Sequence, residues 1–318
     1  MSAKVLVTRE IPAAGMTLLE GYDVAVLGEG VPGREELLEA ASGAAAILST
    51  LTETVDAELL DAAGSGLKVV ANLAVGYDNV DVEAATERGV VVTNTPGVLD
   101  ETTADTAFML LLAAARRLGE GERLVRSGEW EAWGPKQLTG PDVYGKRLGI
   151  VGFGRIGQAV ARRARGFGMS VLYHARSRKP EAERELDARR MSLDDLLRES
   201  DFVSLHTPLT SETEGLIGAR EFGLMKREAV LVNTARGPVV DEAALAEALA
   251  SGEIFAAGLD VYEREPEVHP KLLELENVVL APHIGSASIE TRDRMARLAA
   301  ENLVAVLEGR EPPNRVNR

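Results

Sequence analysis

The chain has 318 residues with 45% apolar content, enough for two domains of the usual size of roughly 100 to 200 residues, each with its own core. Its 50 acidic against 35 basic residues leave a net charge of −15, which argues against a nucleic-acid partner, since a basic binding face would stand against the whole field. No cysteine occurs, so disulfides, thiolate metal sites and a cysteine nucleophile are excluded.

Short apolar, β-branched runs alternate with segments of helical period, the pattern of parallel sheets with crossover helices. Strands are predicted at Val5–Thr8, Ala44–Ser49, Lys68–Asn72, Val90–Asn94, Arg147–Gly152, Ser170–Tyr173, Phe202–His206, Val230–Asn233, Ala256–Asp260 and Val278–Ala281. Two sheets fit that number better than one. Helices are predicted at Arg34–Ala41, Glu101–Leu118, Ile156–Phe167, Asp241–Ala250 and Ser288–Leu307, the last ended by Gly309 and Pro312-Pro313. Met1 to Thr8 runs straight into a strand without the sections of a signal peptide. Phe108–Ala115, the most apolar helical run, is far short of the roughly 18 to 20 residues that cross a bilayer. A cytoplasmic protein with no membrane partner is expected. The segment Glu120–Gly145 holds Trp130 and Trp133 with Gly134-Pro135 and Gly140-Pro141 and shows no clear period. It is predicted as a long loop forming a dimer arm or an active-site edge.

Gly152-Phe153-Gly154-Arg155-Ile156-Gly157 follows the apolar strand Leu148-Gly149-Ile150-Val151 and opens a helix. In that context GxGxxG is a strong dinucleotide signal: the first glycine makes the tight turn, the second admits a pyrophosphate, and the third lets helix pack on strand. The residue that reads the ribose is expected about 20 positions on. An NAD site would place a carboxylate there, but the sequence reads His174-Ala175-Arg176-Ser177-Arg178-Lys179. Arg176 and Ser177, backed by Arg178 and Lys179, suit a 2′-phosphate, so NADP is favoured over NAD.

Three further groups follow strands near the end of the chain: Arg236 in Asn233-Thr234-Ala235-Arg236-Gly237, Glu265 in Asp260 to Pro266, and His283 in Pro282-His283-Ile284-Gly285. A histidine bonded to a carboxylate can give its proton to a developing alkoxide, while an arginine can clamp a carboxylate in bidentate fashion. That set suits reduction of a small 2-oxo acid. The other histidines, His174, His206 and His269, have no partner pattern suited to zinc, and no metal is expected.

These motifs, with Asn72-Leu73-Ala74-Val75-Gly76-Tyr77-Asp78-Asn79-Val80-Asp81, resemble the D-isomer-specific 2-hydroxyacid dehydrogenases over essentially the whole chain. The Ala175-Arg176-Ser177 turn and the tryptophan-containing loop look most similar to the glyoxylate and hydroxypyruvate reductases of that family. The resemblance implies an α/β architecture in which a Rossmann doubly wound parallel-sheet domain, residues 99–283, is inserted into a smaller flavodoxin-like substrate domain, residues 1–98 plus 284–318. It implies that Arg236 binds the substrate carboxylate and carbonyl, that His283 is the acid/base, and that Glu265 supports and orients it. The backbone of Val75 and Gly76 would hold the substrate carboxylate, and Trp133 would reach the neighbouring site of a homodimer. Phe153, Gly154, Arg155, Ile156, Ala175, Arg176, Ser177, Thr234, Ala235, Arg236, Asp260, His283 and Gly285 would line the cofactor, with Thr103 near the nicotinamide. The implied reaction is NADPH-dependent reduction of glyoxylate or hydroxypyruvate to glycolate or D-glycerate. Alternatives are a dehydrogenase for D-lactate or branched 2-oxo acids, and a nucleotide-sensing transcriptional corepressor.

Overall fold

The computed structural model describes residues 2–317. Two compact units emerge: one takes in the chain up to Leu99 and resumes at Ala287, and the other is Asp100–Ser286. The first contains β1 (Lys4–Val7), β2 (Asp23–Val26), β3 (Ala46–Ser49), β4 (Val69–Asn72) and β5 (Val91–Thr93), paired in parallel in the order β2-β1-β3-β4-β5. This is the flavodoxin-like order, with its topological switch between β1 and β3. The helix Ile289–Leu307 returns to this unit, capped by Ser288, whose hydroxyl accepts from Thr291 N–H at 3.2 Å.

The second unit holds β6 (Arg147–Val151), β7 (Ser170–His174), β8 (Ala188–Arg190), β9 (Phe202–Leu205), β10 (Val230–Asn233), β11 (Ala256–Leu259) and β12 (Val278–Leu280). Their order, β12-β11-β10-β9-β6-β7-β8, reverses between β6 and β9, as in a Rossmann fold. Successive strand side chains point to opposite faces. Here both faces are covered: Leu148, Ile150, Phe202, Val230 and Val232 enter one apolar cluster, while Val151, Val203, Leu205 and Leu231 enter another. That double burial explains why the strands read as continuous apolar runs rather than alternating ones.

The α/β class and the two parallel sheets match expectation, and the differences have local causes. The edge strands β2 and β8 are not among the predicted strands: β2 is a four-residue run, Asp23-Val24-Ala25-Val26, that stays partly exposed, and β8 carries the exposed Arg189 and Arg190. The helix predicted at Glu101–Leu118 spans Asp100–Ala115 and is broken by Arg117 at φ 52°. A second helix, Leu118–Ser127, then occupies the first part of what reads as a loop. Gly119 and Gly121 weaken its propensity, but Arg117 fastens its first turn through Glu120, which is buried. Among the described residues, no helix is long and apolar enough to cross a membrane.

Candidate active site

The glycine turn sits at the carboxyl end of β6, beside the switch point. Gly152 has φ +96°, and a Cβ on it would lie 2.5 Å from the His206 carbonyl oxygen. Gly154 precedes the helix Arg155–Gly166, and a Cβ there meets nothing within 4 Å. The first-turn N–H groups of that helix, with the positive end of its dipole, are therefore approachable by phosphate. The Phe153 ring stacks on Tyr173 at 4.2 Å inside the core, so only its main chain can serve a cofactor. Arg155 is exposed and Ile156 half-buried.

The residues present fit a dinucleotide on a second count. His206 Nδ1, Thr207 Oγ1 and Thr234 Oγ1 are buried and have no protein partner. All three follow β9 and β10, where doubly wound sheets bind ligands, and buried polar atoms of native folds are normally satisfied. The sequence reading did not include Thr207; its one signal was a threonine-proline pair directly after a strand. Burial pushes His206 down to about 3 and so favours its neutral ring.

At the ribose end Arg176 and Ser177 are exposed. Arg178 Nε donates to both Glu183 carboxylate oxygens at 2.9 and 3.0 Å. The Tyr173 hydroxyl also donates to Glu183, at 2.5 Å, and accepts from Lys179 N–H at 3.0 Å. Arg190, on β8, donates to the carbonyls of Ala175 (2.9 Å) and Arg176 (3.2 Å). A cavity of about 590 Å³ lies here, lined by His174, Arg178, Arg189, Arg190 and Met191.

Arg236, Glu265 and His283 belong to the same unit. The buried Asn233 shapes the Arg236 turn: its Oδ1 accepts from Ala235 N–H at 3.0 Å, and its Nδ2 donates to the Arg236 carbonyl at 2.9 Å. His283 is left-handed at φ +54°, a conformation that needs outside support in a non-glycine residue. Asp260 supplies it, accepting from Ile284 N–H and Gly285 N–H at 2.7 Å each. Burial pushes the Asp260 carboxyl up, while those amides and the nearby His283 pull it down. Both its oxygens are thus engaged in holding the histidine turn. His283 Nδ1 lies 2.7 Å from Glu265 Oε2, and Glu265 Oε1 accepts from Tyr262 N–H at 3.1 Å. This arrangement fixes the carboxylate and leaves Nε2 of the imidazole as the nitrogen for proton transfer. Thr103 is buried beside Gly285, where a Cβ would come within 3.5 Å of its methyl.

In the other unit, Val75 and Gly76 follow β4. Their carbonyls accept from Asn94 Nδ2 (2.8 Å) and Asn72 Nδ2 (3.0 Å). Trp133 is 78% exposed, whereas the Trp130 indole donates to the Ala132 carbonyl at 3.0 Å.

Comparison with known proteins agrees with this construction. The D-isomer specific 2-hydroxyacid dehydrogenase, NAD binding domain, matches residues 108–285. A glyoxylate reductase of Thermococcus kodakarensis is 56% identical over 325 aligned positions, covering 100% of this chain and 97% of that protein. A solved structure from Thermus thermophilus superposes with a TM-score of 0.93 at 53% identity, covering 98% of this chain and 99% of the other. An NADPH-dependent glyoxylate/hydroxypyruvate reductase from Sinorhizobium meliloti, solved with NADP and malonate, gives a TM-score of 0.85 at 35% identity over 99% and 97% of the two chains. The glycine turn and doubly wound sheet are those of a nicotinamide-dinucleotide-dependent dehydrogenase. The chain belongs to the D-isomer-specific 2-hydroxyacid dehydrogenase family.

Proposed function

We propose that the protein reduces glyoxylate or hydroxypyruvate to glycolate or D-glycerate with NADPH. The observation that carries the chemistry is the His283–Glu265 contact of 2.7 Å. Arg236 binds the substrate carboxylate and carbonyl, and its planar fork suits both. His283 donates its proton to the carbonyl oxygen, and Glu265 holds the ring in place as it does so. The bound dinucleotide supplies the hydride for the carbonyl carbon. We assign the rest of the substrate carboxylate to the backbone of Val75 and Gly76, and the nucleotide to the Asp100–Ser286 unit. The glyoxylate reductases among the relatives support this substrate class. The decisive assay follows NADPH absorbance with glyoxylate, hydroxypyruvate, pyruvate and branched 2-oxo acids, each repeated with NADH. A clear preference for pyruvate or a branched acid would replace the substrate assignment by another within the family.

The NADP assignment rests on the absence of a carboxylate at Ala175-Arg176-Ser177. With Arg178 Nε paired to Glu183, we assign the main 2′-phosphate contact to Arg176 and Ser177. Arg176→Ala is expected to weaken NADPH binding about tenfold and to leave NADH nearly unchanged, the loss of one charge-assisted hydrogen bond at an exposed position. Dissociation constants for both cofactors at fixed ionic strength check this. Equal weakening of the two would show that Arg176 serves the turn rather than the phosphate.

A homodimer is part of the same proposal. Leu118 and Val125 on the helix Leu118–Ser127, with Trp130 and Trp133 after it, leave 52–78% of their surface exposed, a concentration of apolar side chains that suits a partner surface. Trp133 would then serve the neighbouring subunit's site. Sedimentation of the chain as a monomer at micromolar concentration would end this reading.

A further inference from the structure

The segment from Arg236 to Glu242 meets the segment from Tyr262 to His269 at two points. At the first, a Cβ on Gly237 would lie 1.8 Å from the Tyr262 carbonyl carbon, so the two backbones touch directly. At the second, Glu242 and Glu263 exchange hydrogen bonds: Glu263 N–H donates to Glu242 Oε1 at 2.6 Å, and Glu242 N–H donates to Glu263 Oε1 at 2.9 Å. The other Glu242 oxygen accepts from His269 N–H at 3.2 Å.

Glu242 is only 5% exposed. Burying a carboxylate is costly unless its oxygens are met, and here backbone amides of a single loop meet both. An acidic residue in a helical first turn is ordinarily explained by the helix dipole. In the helix Glu242–Ser251 the capping task already belongs to Asp241, which accepts from Ala244 N–H at 2.9 Å. The Glu242 carboxylate instead reaches across to the loop that bears Glu265.

We propose that Glu242 is a positioning residue for the reaction: it fixes the Glu263–His269 segment against the Arg236 turn and thereby sets where Glu265 stands relative to His283. This inference rests on the proposed role of the His283–Glu265 pair. Glu242 itself touches neither of them. The acidic groups facing His283 are Glu265 and Asp260. The adjacent Tyr262 phenol, pushed up to about 12 by burial and nearby carboxylates, stays neutral and donates to the Ala281 carbonyl at 2.9 Å.

The test is Glu242→Gln, which keeps the size but sets an amino group against an N–H donor. A misplacement of about 1 Å can cost about 100-fold in rate, so a smaller displacement is expected to lower kcat about tenfold. The basic limb of the pH–rate profile should move to lower pH, and dinucleotide affinity should stay within about twofold, since no cofactor contact is altered. NMR titration of isotope-labelled histidines in the substrate-free protein should move the His283 midpoint the same way. Glu265→Gln removes the carboxylate at His283 and is itself expected to move the limb to lower pH, and in that background Glu242→Gln should move it no further. A folded Glu242→Gln variant with the wild-type limb and kcat overturns the inference, even with a lowered Tm. If that variant does not fold, Glu242→Asp, one methylene shorter, is put to the same readouts, and an unmoved limb overturns the inference equally. Wild-type turnover in His283→Asn would instead refute the proton-donor assignment on which the inference stands.

Discussion

Replacing His283 with alanine is expected to lower turnover by about 100-fold to 10,000-fold, the span associated with a lost general acid, with dinucleotide binding largely kept. Two of the other three histidines are placed for other tasks. His206 is held neutral by burial, pushed down to about 3, with Nε2 2.8 Å from the Ser204 hydroxyl. The His174 Nδ1 lies 3.2 Å from the Met191 carbonyl, at the ribose end. Among the described residues it is His283 whose ring nitrogen meets a carboxylate. Because His283 sits at φ +54°, alanine also brings backbone strain, and strain could be mistaken for lost chemistry. His283→Asn separates the two, since asparagine enters the left-handed region readily. A loss of the same order in both variants assigns it to the missing imidazole. Wild-type turnover across the pH range in either would remove His283 from the mechanism.

The sequence made the glycine turn legible because two of its glycines answer a backbone demand, Gly152 by its φ and by contact with the His206 carbonyl and Gly157 by lying against the Gly152 carbonyl, while Gly154 leaves open the space a pyrophosphate needs. Arg236, Glu265 and His283 are legible as strand-end residues, each weak alone, whose chemistry taken together suits a 2-oxo acid, while their individual roles come through resemblance to a family. The structure adds the 2.7 Å contact and the bracing by Asp260 and Tyr262. Glu242 was illegible for a physical reason. A glutamate after an aspartate at the start of a helix looks like ordinary capping chemistry, and its true partners, Glu263 and His269, lie more than 20 positions away. Arg178 shows the converse. Read in sequence it strengthens the phosphate site, and the sequence does not show that its Nε is also paired with Glu183, five residues on. Side-chain pairing across turns decides such cases, and composition does not reveal it.

Gly237→Ala is expected to be the most damaging substitution to the fold near the site. The added methyl would lie 1.8 Å from the Tyr262 carbonyl carbon and 1.9 Å from its oxygen. Overpacking usually costs about 1 to 3 kcal/mol. Here the obstacle is backbone, which no rotamer change relieves, so the cost is expected at about 3 kcal/mol or above. For a unit of this size each kcal/mol lowers Tm by about 2 to 4 °C, giving a drop of about 6 to 12 °C. The displaced Tyr262 carries the N–H that holds Glu265, so kcat should fall as well. Gly154→Ala is the contrasting case. Its φ is −81° and its Cβ would meet nothing within 4 Å, so the Tm of the cofactor-free protein should stay within about 1 °C of wild type. Its methyl would instead occupy the space a pyrophosphate needs, and dinucleotide affinity should fall. Thermal unfolding without cofactor and dinucleotide titration of the two variants test both halves. A Gly237→Ala protein with wild-type Tm would show that the two backbones can separate at little cost. The close approach at Gly237 would then set neither the stability of the unit nor the spacing of Arg236 and Glu265.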